Sequence, residues 1–359
     1  MVKMTTATTG TGTITLGSAS SGYQSFADAY GANATVDVLI ADGTAWEVAR
    51  NCTYTHSGTT LTRGTLEDSS TGSALNLSGS ATVSVVATAA FGNRTEMALQ
   101  AITPGGRLTT ESGVPVSTSD RTAQSTLYYT PYVHNIINLW DGAEWKPITF
   151  TEYTLALGTL TSGKPYDVFA YLNAGALALE VLVWTSDLVR ATAVTLQDGR
   201  YCKSGDKTRL LLGTFYTTSS TETADSKRQR LVGNVYNNVS RGLYYASGAA
   251  SHSYSSGTRR YWNDTSVSRL EIVHPLGGGV NGSITSNVTG TAPRVEMSLN
   301  GITSGDFFAV VEINGTAGSQ NTASANTVLV AGFNFIAAVE VSASGGTYDY
   351  LAITGFITQ

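Results

Sequence analysis

Turn dipeptides recur along this chain between short runs of β-branched and aromatic residues, and that punctuation restricts the fold more than any other feature. Asp42-Gly43, Asp141-Gly142 and Asp198-Gly199 each separate two such runs. Asn173-Ala174-Gly175, Asn300-Gly301, Asn314-Gly315 and Gly345-Gly346 mark further turns. Residues of this kind accept the positive φ that two-residue hairpins need, so the flanking runs read as antiparallel strands. Charged residues make up only 13% of the chain, while Gly, Ser and Thr are abundant, which suits many short strands and excludes disorder driven by charge. The expectation is an all-β, multidomain protein.

The first block, residues 1–93, reads as a small antiparallel module with strands near 14–16, 35–41, 46–50, 61–64, 74–77 and 82–88, and with Trp46 as a core anchor. A short helix over 94–102, stopped by Pro104-Gly105-Gly106, makes 94–105 a linker. Residues 106–224 form a β middle domain whose hairpins pair 136–140 with 145–149 and 168–172 with 176–185. Residues 242–359 carry about eight further strand patterns, the count of a β-sandwich or jelly roll.

Between these last two blocks lies the one convincing helical pattern. Leu231, Val235 and Val239 recur at i, i+4 and i+8, and Val232 and Tyr236 widen the stripe. Asp225 serves as N-cap and Gly242 as the residue past the C-terminus, so the spacing predicts a connecting helix over 225–241. Lys227, Arg228 and Arg230 oppose the dipole of its first turn.

Two stretches carry a family resemblance. TGTGTITLGSA, GYQSFADAYG and the run from Ile40 to Val85 resemble the N-terminal module of many tailed-bacteriophage virion proteins. LYYTPY, LWDGAEW, KPYDVFAY and the run from Arg190 to Phe215 resemble a recurrent domain of phage fibre-type virion proteins. The resemblance implies a non-enzymatic structural protein of the virion, a homotrimeric head or tail fibre or spike. In that reading residues 1–93 attach to other virion proteins, the 225–241 helices of the three copies lie near the threefold axis, and the C-terminal domain contacts host surface polysaccharide or protein. The rival readings are a capsid decoration or minor tail protein without adhesion, and a surface-polysaccharide hydrolase.

No motif supplies chemistry. Lys203-Ser204-Gly205-Asp206-Lys207-Thr208 lacks the order of a phosphate loop and reads as a turn between strands. His56, His134, His252 and His274 share no metal spacing, and Cys52 and Cys202 read as buried free thiols. Asp167, Glu180, Glu271 and Glu296 fall within strand patterns and read as solvent-facing or paired with arginines. Neither a cofactor nor a metal is expected. A net charge of −5, with no Lys, Arg or His after Arg294, argues against nucleic acid, and no apolar run reaches the length of a membrane-inserting helix. The binding-like stretch is Tyr244, Tyr245, Tyr254, Arg259, Arg260, Tyr261 and Trp262, because aromatic faces and guanidinium forks suit sugars and anionic polymers. The alternative is that the aromatics fill the core and the arginines reach out from it.

Overall fold

The computed structural model describes residues 1–88, 103–248, 251–290, 293–303, 306–312 and 320–359. The helix expected over 94–102 and the turn at Asn314-Gly315 lie outside them. The described chain is nearly all strand, as the turn pattern requires, and divides into two compact units, Met1–Gln100 and Ala101–Gln359.

In the first unit, Lys3–Thr6, Ala81–Val85, Ala34–Asp42, Ala45–Thr55, Thr60–Thr62 and Ile14–Thr15 lie side by side, and Thr65–Ser69 also pairs with Ala45–Thr55. Asp42 pairs with Ala45, so the hairpin turn is Gly43-Thr44. Only Gly43 has positive φ, at 62°, which is the II′ pattern and not I′. A five-residue helix, Phe26–Tyr30, is capped by Ser25, whose hydroxyl accepts from the Asp28 amide, and ends at left-handed Gly31. It puts Phe26 into a core with Ile14, Val38, Ile40, Tyr54 and Leu61. Trp46 is not a core anchor. Strand alternation aims it outward, and the adjacent inward slot holds the buried Glu47. That carboxylate accepts two bonds from Arg63, both 2.9 Å, and one from the Leu75 amide, so its burial is compensated.

The second unit contains a sheet ordered Ala176–Val183, Pro165–Asn173, Asp206–Tyr216, Arg200–Lys203 and Val194–Gln197. Its hairpins are the expected ones: Ala174-Gly175 and Asp198-Gly199 both have positive φ, as type I′ turns demand. The C-terminal half is a β-sandwich. One sheet runs Thr223–Asp225, Gln229–Arg230, Arg269–His274, Gly332–Val341, Arg294–Leu299 and Phe307–Glu312, with Arg121–Gln124 added at its first edge. The other runs Ser240–Ala246, Gly346–Thr358, Gly278–Gly290 and Gln320–Leu329. Leu270, Ile272, Met297 and Ile336 from the first meet Ile284, Val288, Leu351 and Ile353 from the second in one core.

The connecting helix over 225–241 does not form. The segment instead gives strands to three sheets: Thr223–Asp225 and Gln229–Arg230 to the first sandwich sheet, Val232–Asn234 beside Asp206–Tyr216, and Ser240–Ala246 to the second sandwich sheet. The physical reasons are local. Leu231 and Val232, adjacent in sequence, are both buried in different clusters, which a single helical face cannot provide. Gly233 is wedged so closely that a Cβ would lie 2.7 Å from the Pro275 ring, and Asn237 takes φ of 56°. Asp225 is no cap; its carboxylate is buried between Arg230 at 2.8 Å and Arg241 at 2.9 Å. Consequently residues 225–241 offer no helix to line a threefold axis, and residues 106–224 and 242–359 are not separate domains, since they share a sheet.

Side chains lock this segment to the strands around it. The Asn234 amide accepts from the Leu108 N–H at 2.7 Å and donates to the Leu108 carbonyl at 3.1 Å, extending a ladder with a side chain. Arg107 donates to the main-chain oxygens of Asn237 and Gln359, and burial pushes its pKa down to about 10. Removing the Asp225 carboxylate would leave Arg230 and Arg241 buried and uncompensated, a loss of about 3–5 kcal/mol. Asp225→Ala is therefore expected to lower the unfolding free energy of the Ala101–Gln359 unit by that amount, read as a lower denaturant midpoint. Hydrogen exchange should show protection in Met1–Gln100 unchanged, and equal midpoints for variant and parent would contradict the assignment.

Candidate functional site

The seven residues of the binding-like stretch do not form one patch, and strand alternation separates them. Arg260 pairs in register with Glu340, so the two side chains share a face, and Arg260 Nε donates to Glu340 at 2.6 Å. Arg259, one residue earlier, points to the opposite face and grips Glu296 through two bonds of 2.7 and 3.1 Å. Trp262 follows Arg260 inward and is buried, while Tyr261 is half-buried.

Around Glu340 a compact assembly forms at the rim of the sandwich. His252 Nε2 lies 2.6 Å from its second carboxylate oxygen. Because His252 belongs to the strand beside Gly346–Thr358 and Glu340 to Gly332–Val341, this contact ties one sheet to the other. The imidazole stacks on Tyr348 with centroids 5.4 Å apart and meets Trp262 edge-on at 5.2 Å. The Arg260 guanidinium lies 3.9 Å from the centroid of the Tyr254 ring, and the Tyr254 hydroxyl donates to the Thr258 carbonyl at 2.6 Å. Burial raises the Tyr348 pKa, so its hydroxyl stays protonated and donates to the Val341 carbonyl at 3.0 Å. With both oxygens of Glu340 and Nε2 of His252 engaged, the arrangement performs as a structural clamp. The same holds for the acids expected in strands: Asp167 pairs with Arg190, Glu180 with Lys203 and Arg209, and Glu271 with Arg269.

Tyr245 and Tyr244 part company in the same way. Tyr245 turns inward, packs on the sandwich core and lies under the Arg228 guanidinium at 5.3 Å. Tyr244 turns outward, 48% exposed, and walls a surface hollow with Phe356, which is 62% exposed. Lys227 and Thr354 complete the rim, and Gly242 lies at its floor. The sequence reading missed Phe356 and Gly242 because they sit beside Tyr244 only through the pairing of Ser240–Ala246 with Gly346–Thr358. It also missed His252 and Glu340 as partners, which are 88 residues apart in sequence.

Among the described residues, no group of three or more His, Cys, Asp or Glu is placed to hold a metal ion. Both cysteines are buried free thiols, and burial pushes the Cys202 pKa up to about 11. No described helix is long and apolar enough to cross a membrane.

No protein-family model and no curated protein sequence matches this chain. Solved structures resemble it only distantly. A β-glucosidase from Paenibacillus barengoltzii aligns over 28% of this chain and 10% of its own, at 15% identity and a TM-score of 0.18. A Bacillus thuringiensis Cry1Da tryptic core variant aligns over 73% and 54%, at 8% identity and 0.22. The infectious bursal disease virus Gx strain structure aligns over 70% of each chain, at 12% identity and 0.22. This chain thus spans a tenth of the glucosidase and about half of the toxin core. Scores at this level carry no argument about function.

His274 gives the sandwich a calculable pH response. It is buried at the end of Arg269–His274, and Nε2 bonds the Thr358 main-chain oxygen at 3.2 Å. Burial holds its pKa below the ordinary value, and the Thr358 carbonyl opposes this more weakly. The unfolded chain therefore takes up a proton that the fold refuses. Stability from this residue is complete above the unfolded pKa of about 6.5 and is lost as pH falls through the lower folded value. Thermal midpoints measured from pH 7.5 downward should fall less for His274→Gln than for the parent protein. Parallel curves would show that His274 does not contribute.

Proposed function

We propose that the chain is a non-enzymatic structural protein of a tailed-phage virion, a homotrimeric fibre or spike on the head or tail. The Met1–Gln100 unit would attach it to other virion proteins, and the sandwich would contact the host surface. The observation that carries the surface role is the outward placement of Tyr244 and Phe356 around an open hollow. Large aromatics exposed together on a sheet face are characteristic of interaction surfaces. The family resemblance over both stretches supports the virion assignment, and the all-β architecture is compatible with it. The strand acids support a binding role over hydrolysis, because each is held by a basic side chain and none of these pairings leaves a free acid–base couple.

Two measurements test this reading. Light scattering of the purified protein should return three times 37.6 kDa, and a monomer mass would contradict the fibre assignment. Fluorescently labelled full-length protein should decorate host cells and not unrelated bacteria. Trimers that decorate neither would favour a capsid decoration or minor tail role.

A further inference from the structure

The hollow at Tyr244 is one end of a larger surface whose composition is visible only through the strand register. On the outer face of the second sandwich sheet, side chains line up in rows across four strands. In one row Gly242 pairs with Phe356, Phe356 with Asn281, and Asn281 with Asn326. In the next, Tyr244 pairs with Thr354, Thr354 with Ser283, and Ser283 with Ser324. The third continues through Ala352 to Thr285 and Thr322. The intervening residues Val280, Ile284, Leu351 and Ile353 face the core, so alternation fixes which side these rows occupy.

Three properties of this face define what it fits. It carries no formal charge in any of the three rows; among the described residues that line the hollow, Lys227 is the one cation. Its polar groups form matched cross-strand pairs: Asn281 to Asn326 at 2.7 Å, Ser283 to Ser324 at 2.9 Å and Thr285 to Thr322 at 2.8 Å. Pairs joined by one bond hold their side chains still, and an amide or hydroxyl so joined keeps further donors and acceptors for a ligand. Finally, the aromatic end has a floor with no side chain: a Cβ on Gly242 would meet nothing within 4 Å. A glycine within a strand marks a place where a ligand can approach the backbone. Neighbouring strands lie about 4.8 Å apart, so four of them span roughly 14 Å, enough for several units of a linear polymer.

We infer that this face binds an uncharged polysaccharide, with one sugar ring seated between Tyr244 and Phe356 over Gly242 and the following units hydrogen-bonded along the Asn, Ser and Thr rows. The inference rests on the surface-contact reading above and names the chemistry contacted. A neutral glycan offers apolar C–H faces for the aromatics and many hydroxyls for the rows. A polyanion would find Lys227 alone among the described residues that line the hollow, and an anionic membrane would require a basic face. A protein partner would call for an apolar centre with a polar rim, whereas here polar pairs occupy the centre.

The test uses the full chain on an array of neutral and uronate-containing oligosaccharides, followed by titration calorimetry with the best neutral hexasaccharide. Binding to an uncharged glycan is expected, nearly independent of salt between about 50 and 300 mM, a range over which the Debye length falls by about half. Tyr244→Ala and Phe356→Ala should each weaken it about tenfold, whereas Phe356→Tyr should retain it. Unchanged hydrogen-exchange protection in the variants would show that the sandwich is intact. Retention of uronate glycans only, of no neutral glycan, or equal affinity in the alanine variants would overturn the inference. So would a drop in oligomer mass on Tyr244→Ala, which would make the face a contact between copies. Cell decoration separates the two proposals. If both alanine variants still decorate host cells, the glycan site is wrong and the surface role stands. If the parent binds a neutral glycan yet decorates no cells, the site stands and the virion role falls.

Discussion

A carboxylate buried between two guanidiniums organises the larger unit of this protein. Asp225 can lose its hydration only because Arg230 and Arg241 both reach it, and those three residues lie on strands of opposite sandwich sheets. The chain from 223 to 246 must therefore fold back on itself twice within a short span. Doing so brings its middle, Val232–Asn234, against Asp206–Tyr216. Arg230 also donates to the Gly242 carbonyl through Nε and Nη2, at 3.2 and 3.0 Å, which pins the two turns together. The ionic triad fixes register more than it adds net stability, since buried pairs of this kind are costly to desolvate. Once register is fixed, the sandwich and the preceding sheet cannot move as independent domains.

The same economy of charge shapes the rest of the sandwich. Arg259 and Arg260 are consecutive, and a period of two sends one to Glu296 and the other to Glu340 on opposite faces. His252 completes the second contact from the facing sheet. In a chain with only 13% charged residues, these clamps consume much of the local charge, and the outer face of the second sheet carries amides, hydroxyls and two exposed aromatics in its three rows, with Val328 exposed beside them. The structural and the binding roles thus fall to different chemistries.

The turns were the legible part of the sequence. Asp198-Gly199 and Ala174-Gly175 adopt the positive φ that their composition requires, and the strands they join pair in the expected order. The helix over 225–241 was the main misreading. Of the five apolar residues at helical spacing only Val232 lies in a strand; Leu231 is buried in a different cluster, and Val235, Tyr236 and Val239 are half-buried in the connection to Ser240–Ala246, so separate environments imitated a 3.6-residue period. Gly233 and the Asn237-Asn238 pair were the opposing signals, together with a basic first turn that no helix favours. Trp46 failed for a simpler reason: size suggests burial, whereas strand parity gave the inward position to Glu47. Of the binding-like stretch, Tyr244 reached the surface and Trp262 the core, an outcome set by parity that composition alone does not reveal. The Asn-Ser-Thr rows were present in the sequence as outward positions of 281–285 and 322–326, but only register aligns them.

The central claim is that residues 223–246 weld three sheets into one cooperative unit. Native-state hydrogen exchange in rising denaturant tests it most directly. The account predicts that the Val235 amide, bonded to the Leu212 carbonyl, opens in the same transition as the amides of Leu210 on one side and Ile353 on the other. Two separate openings, with the preceding sheet and the sandwich exchanging at different denaturant concentrations and 223–246 unprotected between them, would contradict it.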